Sequence, residues 1–170
     1  MRAPHVLAGA LAALVAVLVS PPGAQGALRH VPADYPTIQA GIDACAPGDT
    51  VLVAPGAYVE NIHYRAGDIT VASHYLTTGD PAWITGTLIQ AAAFGLPVVT
   101  IAGGQSRAAR LCGFTITGGM GGLGSGVHCV GSSPTIDRNR ITNNCPRDAG
   151  GGIYVALGSP LIEHNSIFGN

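Results

Sequence analysis

The chain has 170 residues, a formal net charge of −1 and only 10% charged residues, and every basic side chain other than histidine is an arginine. No basic cluster tracks a phosphate backbone, so nucleic acid is excluded as an expected partner. Glycine is abundant, at 25 residues, without a collagen period, and such a composition predicts many short strands and turns.

Residues 1–26 read as a secretory signal peptide. Arg2 gives a short basic start, residues 11–19 are apolar, and Ser20, Pro21 and Pro22 break the run. Ala24 and Gly26 supply the small residues that precede a cleavage site. The apolar run is short for a membrane span, and no second one follows. The expected mature chain, from Ala27, therefore has no membrane contact and is secreted, held at the cell surface or periplasmic. It carries 7 arginines against 9 acids, a formal charge of about −2. Export permits disulfides among Cys45, Cys112, Cys129 and Cys145, and spacing chooses none of the three full pairings. Cys129 also reads as a small buried hydrophobe.

Residues 27–36 form a lead-in. A short helix follows, with Thr37 as N-cap and Ile38, Ile42 and Cys45 at helical spacing, stopped by Pro47-Gly48. It is placed to cover the open first edge of a sheet. Residues 49–54 predict a first strand, 58–63 a second and 67–73 a third. The block 77–95 is irregular, with a turn at Gly79-Asp80-Pro81 and Trp83-Ile84 packing over a core edge. Strand character returns over 98–102 and again over 109–117.

The tail from Gly126 to Asn170 matches itself when shifted by 26 residues. Val127 meets Ile153, Cys129 meets Val155, Ile136 meets Ile162, Asn139 meets Asn165, Ile141 meets Ile167 and Asn144 meets Asn170. A shift of 25 joins an earlier, degenerate copy, in which Leu111 meets Ile136 and Ile116 meets Ile141. A fixed period implies units that bury their apolar faces only by stacking. Each unit holds three strands too short, and too rich in glycine and asparagine between them, for βαβ units. A parallel coil rising by about 4.8 Å per turn satisfies the pattern. Alternation turns Val127, Cys129, Ile153, Val155, Ile136 and Ile162 inward. It turns His128, Val130, Tyr154, Asp137 and Glu163 outward. Asn139 and Asn165 occupy a corner between the second and third strands, where asparagine tolerates a tight bend and its amide reaches the next coil; their expected role is structural.

The segments VPADYPTIQAGIDACAPGDTVLVAPGAYVENI, GFTITGG, SSPTIDRNRITNN, GGGIYV and SPLIEHNSIFGN resemble the N-terminal cap, first coil and coil consensus of secreted bacterial right-handed parallel β-helix proteins. The chain is thus identified as resembling the pectin-lyase-like superfamily over about residues 30–170. The resemblance implies an all-β, right-handed, single-stranded parallel β-helix over residues 27–170, with a short N-terminal capping helix. It also implies an asparagine ladder at Asn139 and Asn165. The C-terminal end reads as uncapped, so the chain is expected to be a truncated helix that self-associates end to end. The group contains polysaccharide lyases, glycoside hydrolases, esterases and proteins without known activity, so fold does not choose among them.

In related lyases, calcium-binding aspartates and an arginine sit on the outer face of the coils. The candidates here for catalysis are Asp137, Glu163, Arg138 and His164, with Asp137 and Glu163 also the candidate calcium ligands. Elimination needs a base and a cation to hold the developing charge. A repeated outward acid is more simply solvated surface. His128 over Tyr154 forms an outward stack of a kind that contacts sugar. His63 and His74 lack a third metal ligand, and Arg107 and Arg110 read as a solvated turn. The residues therefore favour an exported, non-catalytic or carbohydrate-contacting surface or matrix module with no resident cofactor. The alternative is a polysaccharide lyase, or another carbohydrate-active enzyme, acting on acidic polysaccharide.

Overall fold

The computed structural model describes residues 26–65 and 67–170. The expected signal peptide lies outside the described residues, Gly26 excepted. Among them no helix is long and apolar enough to cross a membrane.

The strands are short because a corner residue interrupts the chain every few positions. They are β1 (Leu28–Val31), β2 (Thr50–Val53), β3 (Gly56–Val59), β4 (Ile62–His63), β5 (Thr70–Ser73), β6 (Thr87–Gln90), β7 (Val99–Ile101), β8 (Arg110–Cys112) and β9 (Thr115–Thr117). β10 (Val127–Val130), β11 (Thr135–Asp137), β12 (Arg140–Thr142), β13 (Ile153–Ala156), β14 (Leu161–Glu163) and β15 (Ser166–Phe168) follow. Among the described residues three short helices interleave: α1 (Ile38–Asp43), α2 (Tyr75–Thr78) and α3 (Ala82–Gly86). The strands stack into three sheets, ordered β1-β2-β5-β8-β11-β14, β4-β7-β10-β13 and β3-β6-β9-β12-β15. Neighbouring strands in all three sheets run parallel, so the fold is all-β and solenoid-like.

The inward columns form the core. Val51, Val71, Leu111, Ile136 and Ile162 stack in one sheet, and Ile89, Ile116, Ile141 and Ile167 in another. Val99, Val127 and Ile153 complete the third. Each fully buried Ile, Leu or Val contributes about 1.5–3 kcal/mol. In the coil β13–β15 the inward residues are open on one side: Ile162 is 40% exposed and Ile167 47%. Val155, expected inside, is likewise partly exposed.

Thr37 caps α1, its side chain accepting from the Ala40 amide. The two oxygens of Glu60 accept from the Ile38 and Gln39 amides, satisfying donors that every helix start leaves free. Ile38 and Ile42 are buried, and α1 packs on β1, β2 and β4. Gly41 faces the methyls of Val51 and Val31, which an added Cβ would crowd at 3.0 Å and 3.2 Å.

Element boundaries differ from the sequence reading at four places. The lead-in contains a strand, β1, hidden because only Val31 of its four residues is buried. Residues 58–63 are two strands in different sheets, since Glu60 turns to α1 and Asn61 bonds the Pro97 carbonyl and the Ala92 and Ala93 amides. Residues 109–117 also divide, at Gly113. The irregular block holds α2, α3 and β6; Trp83 packs edge-on to His74, and the Ile84 carbonyl accepts from Thr115. All four cysteines are free thiols, so none of the pairings that the sequence left open is formed, and Cys129 is buried as its inward position requires.

Two asparagine ladders run along the coils. Asn139 Oδ1 accepts from the Phe114 amide, while Nδ2 donates to the Leu111 and Asp137 carbonyls. Asn165 repeats the pattern one coil on, accepting from the Asn139 amide and donating to the Ile136 and Glu163 carbonyls. Asn144 and Asn170 form the second ladder, with Asn144 serving Gly119 and Ile116 and Asn170 serving Asn144 and Ile141.

Candidate functional site

The outward column of the six-stranded sheet contains Leu52, Ala72, Cys112, Asp137 and Glu163. Asp137 is on the outward side, as alternation requires, yet it is only 2% exposed. Arg110 closes it: Nε reaches Oδ1 at 2.7 Å and an NH2 nitrogen reaches Oδ2 at 2.6 Å. Two parallel charge-assisted bonds of this kind are the strong form of an arginine–carboxylate pair. Arg138 Nε lies 3.6 Å from Oδ2, and the Cys112 sulfur lies 3.8 Å from it.

Helix α2 helps cover this cluster. Tyr75 accepts a hydrogen bond from Arg138 at 2.9 Å, and that guanidinium stands 5.7 Å from the tyrosine ring. α2 can lie there because position 113 is a glycine. A Cβ on Gly113 would collide with Ser73 and Tyr75, and its φ of 83° is left-handed. Burial, and then the negative charge of Asp137, push the Cys112 thiol up to about 11. Arg110 is thus no solvated turn residue but a strand residue whose guanidinium pKa is raised by its bonds to Asp137. Arg107 alone fits the turn reading.

Glu163 and His164 occupy the next coil, both exposed, with Nδ1 of the ring 4.0 Å from Oε2. Arg138 and His164 hold the same corner in successive coils, each with a positive φ (56° and 54°). The four candidate residues therefore meet at one outer corner, but their chemistry does not converge. Asp137 is almost fully buried and each of its oxygens accepts from Arg110, so it is poorly placed to reach a substrate proton. Glu163 is the one open carboxylate of the four. Among the described residues no group of three His, Cys, Asp or Glu side chains is placed to hold a metal ion. A calcium ion shared by Asp137 and Glu163 would have to compete with the Arg110 fork for the Asp137 oxygens.

A second feature lies on the outer side of the four-stranded sheet. Register aligns His63, Thr100, His128 and Tyr154 as one outward column. The His128 and Tyr154 rings stack with centroids 5.4 Å apart and planes inclined by 11°. His128 Nδ1 lies 3.0 Å from the Leu123 carbonyl. A carbonyl only accepts, so Nδ1 carries the hydrogen and Nε2 of the neutral ring is left as an acceptor. Gly124 and Gly150 let their loops close against Tyr154, where a Cβ at Gly124 would strike that side chain and one at Gly150 would crowd it.

Arg110, Cys112 and Tyr75 are the members of the Asp137 cluster that sequence reasoning missed. The shift of 25 residues places Cys112 beside Asp137 and was the available signal for it. Tyr75 arrives through the α2 excursion, which has no counterpart in the repeat. Searches against family models, curated proteins and solved structures return no match for this chain.

Proposed function

We propose that the chain is an exported, right-handed parallel β-helix of the pectin-lyase-like kind that contacts carbohydrate without cleaving it. Right-handedness follows from the strong preference of crossovers between parallel strands. The observation that carries the functional reading is the His128–Tyr154 stack in the column His63, Thr100, His128 and Tyr154. The column presents one polar or aromatic group per coil, and the coils rise by about 4.8 Å. That spacing is close to the length of one sugar ring, so an extended polysaccharide lying along the axis meets a group at each residue. Aromatic edges, the His128 acceptor and the Thr100 hydroxyl suit sugar hydroxyls and C–H faces. The commitment of Asp137 to Arg110 favours the non-cleaving version of this reading.

Affinity electrophoresis in gels cast with polygalacturonate or a soluble neutral glucan tests the proposal. At least one polymer should retard the protein. His128→Ala and Tyr154→Ala should each weaken binding about two- to tenfold, while Glu163→Gln leaves it unchanged. Incubation of polygalacturonate with calcium should yield no unsaturated product. Retardation by neither polymer, or full binding by the His128→Ala, Tyr154→Ala double variant, would sink the reading. Unsaturated product that disappears in Glu163→Gln would establish the lyase instead.

A further inference from the structure

Three loops on one side of the coils, residues 91–98, 118–126 and 143–152, stack on one another much as the strands do. The Gly95 amide donates to the Met120 carbonyl, the Cys145 amide to Gly119 and the Arg147 amide to Gly121. Parallel bridges join Gly95 to Gly121 and Leu123 to Ala149. These bonds hold the loops as a preformed surface. That surface is unusually apolar: Phe94 is 76% exposed, Met120 48%, and Leu96 and Leu123 are exposed as well. Between the loops lies an open cavity of about 120 Å³ lined by Phe94, Met120, Cys145, Pro146 and Arg147. Cys145 is the exposed free thiol of the four.

We infer that this loop face is a two-fold interface with a second copy of the chain, in which Cys145 meets Cys145 of that copy. A two-fold contact places one patch on itself, so the patch must supply both halves of every interaction. This one does. Phe94 is the projection and the cavity beside it is the recess. Arg147 and Asp148 are adjacent, exposed and of opposite sign, and neither forms an ion pair among the described residues. Arg147 of one copy then faces Asp148 of the other, in both directions at once. The charges form a rim around apolar anchors, the usual anatomy of a specific interface.

With Cys145 at this contact, the dimer becomes covalent by thiol–disulfide exchange with a small disulfide such as oxidised glutathione. The Cys145 thiolate of one copy attacks a glutathione sulfur, forming a mixed disulfide and releasing one glutathione thiolate. The Cys145 thiolate of the second copy attacks the protein sulfur of that mixed disulfide and releases the other. Two protein thiols are oxidised and one small disulfide is reduced; the two protons lost by the protein thiols are taken up by the two released glutathione thiolates, giving two thiols. Cys112 and Cys129 are buried and cannot take part in the folded state.

The test uses the purified full chain, first in reductant and then with oxidised glutathione. Sedimentation across the micromolar range should show a reversible dimer in reductant. Non-reducing electrophoresis after oxidation should show a covalent dimer, with an intact mass of two chains less two hydrogens. Cys145→Ser should abolish the covalent species and keep the reversible one. Arg147→Asp, a surface change that leaves the circular dichroism intact, should weaken the dimer about tenfold or more. The Arg147→Asp, Asp148→Arg double variant should restore it. A monomer throughout the range overturns the inference, as does a glutathione adduct on Cys145 with no dimer. A dimer indifferent to Arg147→Asp but lost in Ile162→Ser, Ile167→Ser is association through the coil end, and also overturns it.

Discussion

Replacing Arg110 with methionine leaves the buried Asp137 carboxylate without its fork. Breaking a buried pair from one side is costly, and because Arg110 is itself one-third exposed the expected loss is about 2–3 kcal/mol. Urea denaturation of Arg110→Met should show that loss, and the Arg110→Met, Asp137→Leu double variant should recover most of it. Asp49 makes a different prediction. The Ala46 amide, then Arg29, then the Ala27 amide hold its carboxyl below the usual range. A depressed folded-state pKa stabilises the fold above the ordinary carboxylate range, near pH 3.9, and that contribution is lost as pH falls through the lower folded value. Urea midpoints measured from neutrality into acid should therefore fall less steeply for Asp49→Asn than for the parent chain. At this scale the sequence was only partly legible. Alternation put Asp137 on the outward side correctly, but alternation cannot tell a solvated carboxylate from one roofed by an arginine and a distant tyrosine. Arg110 precedes the cluster by a whole coil, so its partner is visible only once the register is known.

Among the elements, the corners decide more than the strands. Asn139→Ala removes three buried hydrogen bonds and one partly buried one and orphans the Phe114 amide, so a loss of about 2–4 kcal/mol is expected in chemical denaturation. Asn139→Asp should cost as much, because a carboxylate cannot donate to the Leu111 and Asp137 carbonyls. The first residue of β6 points the other way. Thr87 Oγ1 is buried without a hydrogen-bond partner among the described residues, so Thr87→Val should stabilise by about 1 kcal/mol in the same assay. The strands of the tail were readable from the period, since inward Ile and Val recur at one position per coil. The corner at residues 54–63 was not, because Glu60 and Asn61 act through helix α1 and a loop far along the chain. The α2–α3 excursion was likewise hidden. It belongs to a single coil, has no buried residue of its own, and rests on the space left by Gly113.

Over the whole molecule, the four thiols report how openly each part of the coil is held. With a chromogenic disulfide reagent near neutral pH, Cys145 should react first and Cys45 more slowly. Cys112 and Cys129 should react only with global unfolding, so two equivalents should appear along the urea transition itself. Because the folded Cys112 thiol is raised to about 11, its burial stabilises the fold below the ordinary thiol range, and that contribution is lost as pH rises from there through the folded value. The ladders carry a further consequence, for the making of the chain. Every rung runs the same way: the amides of Phe114, Gly119, Asn139 and Asn144 are each completed by an asparagine some 25 or 26 residues later. On a ribosome, where the N-terminal part emerges first, each turn therefore leaves the exit tunnel with its corner bonds unmade. It is finished only by the turn synthesised after it. A nascent chain halted before Asn139 emerges should leave the β8–β9 corner open to proteolysis, and release of a few more residues should close it.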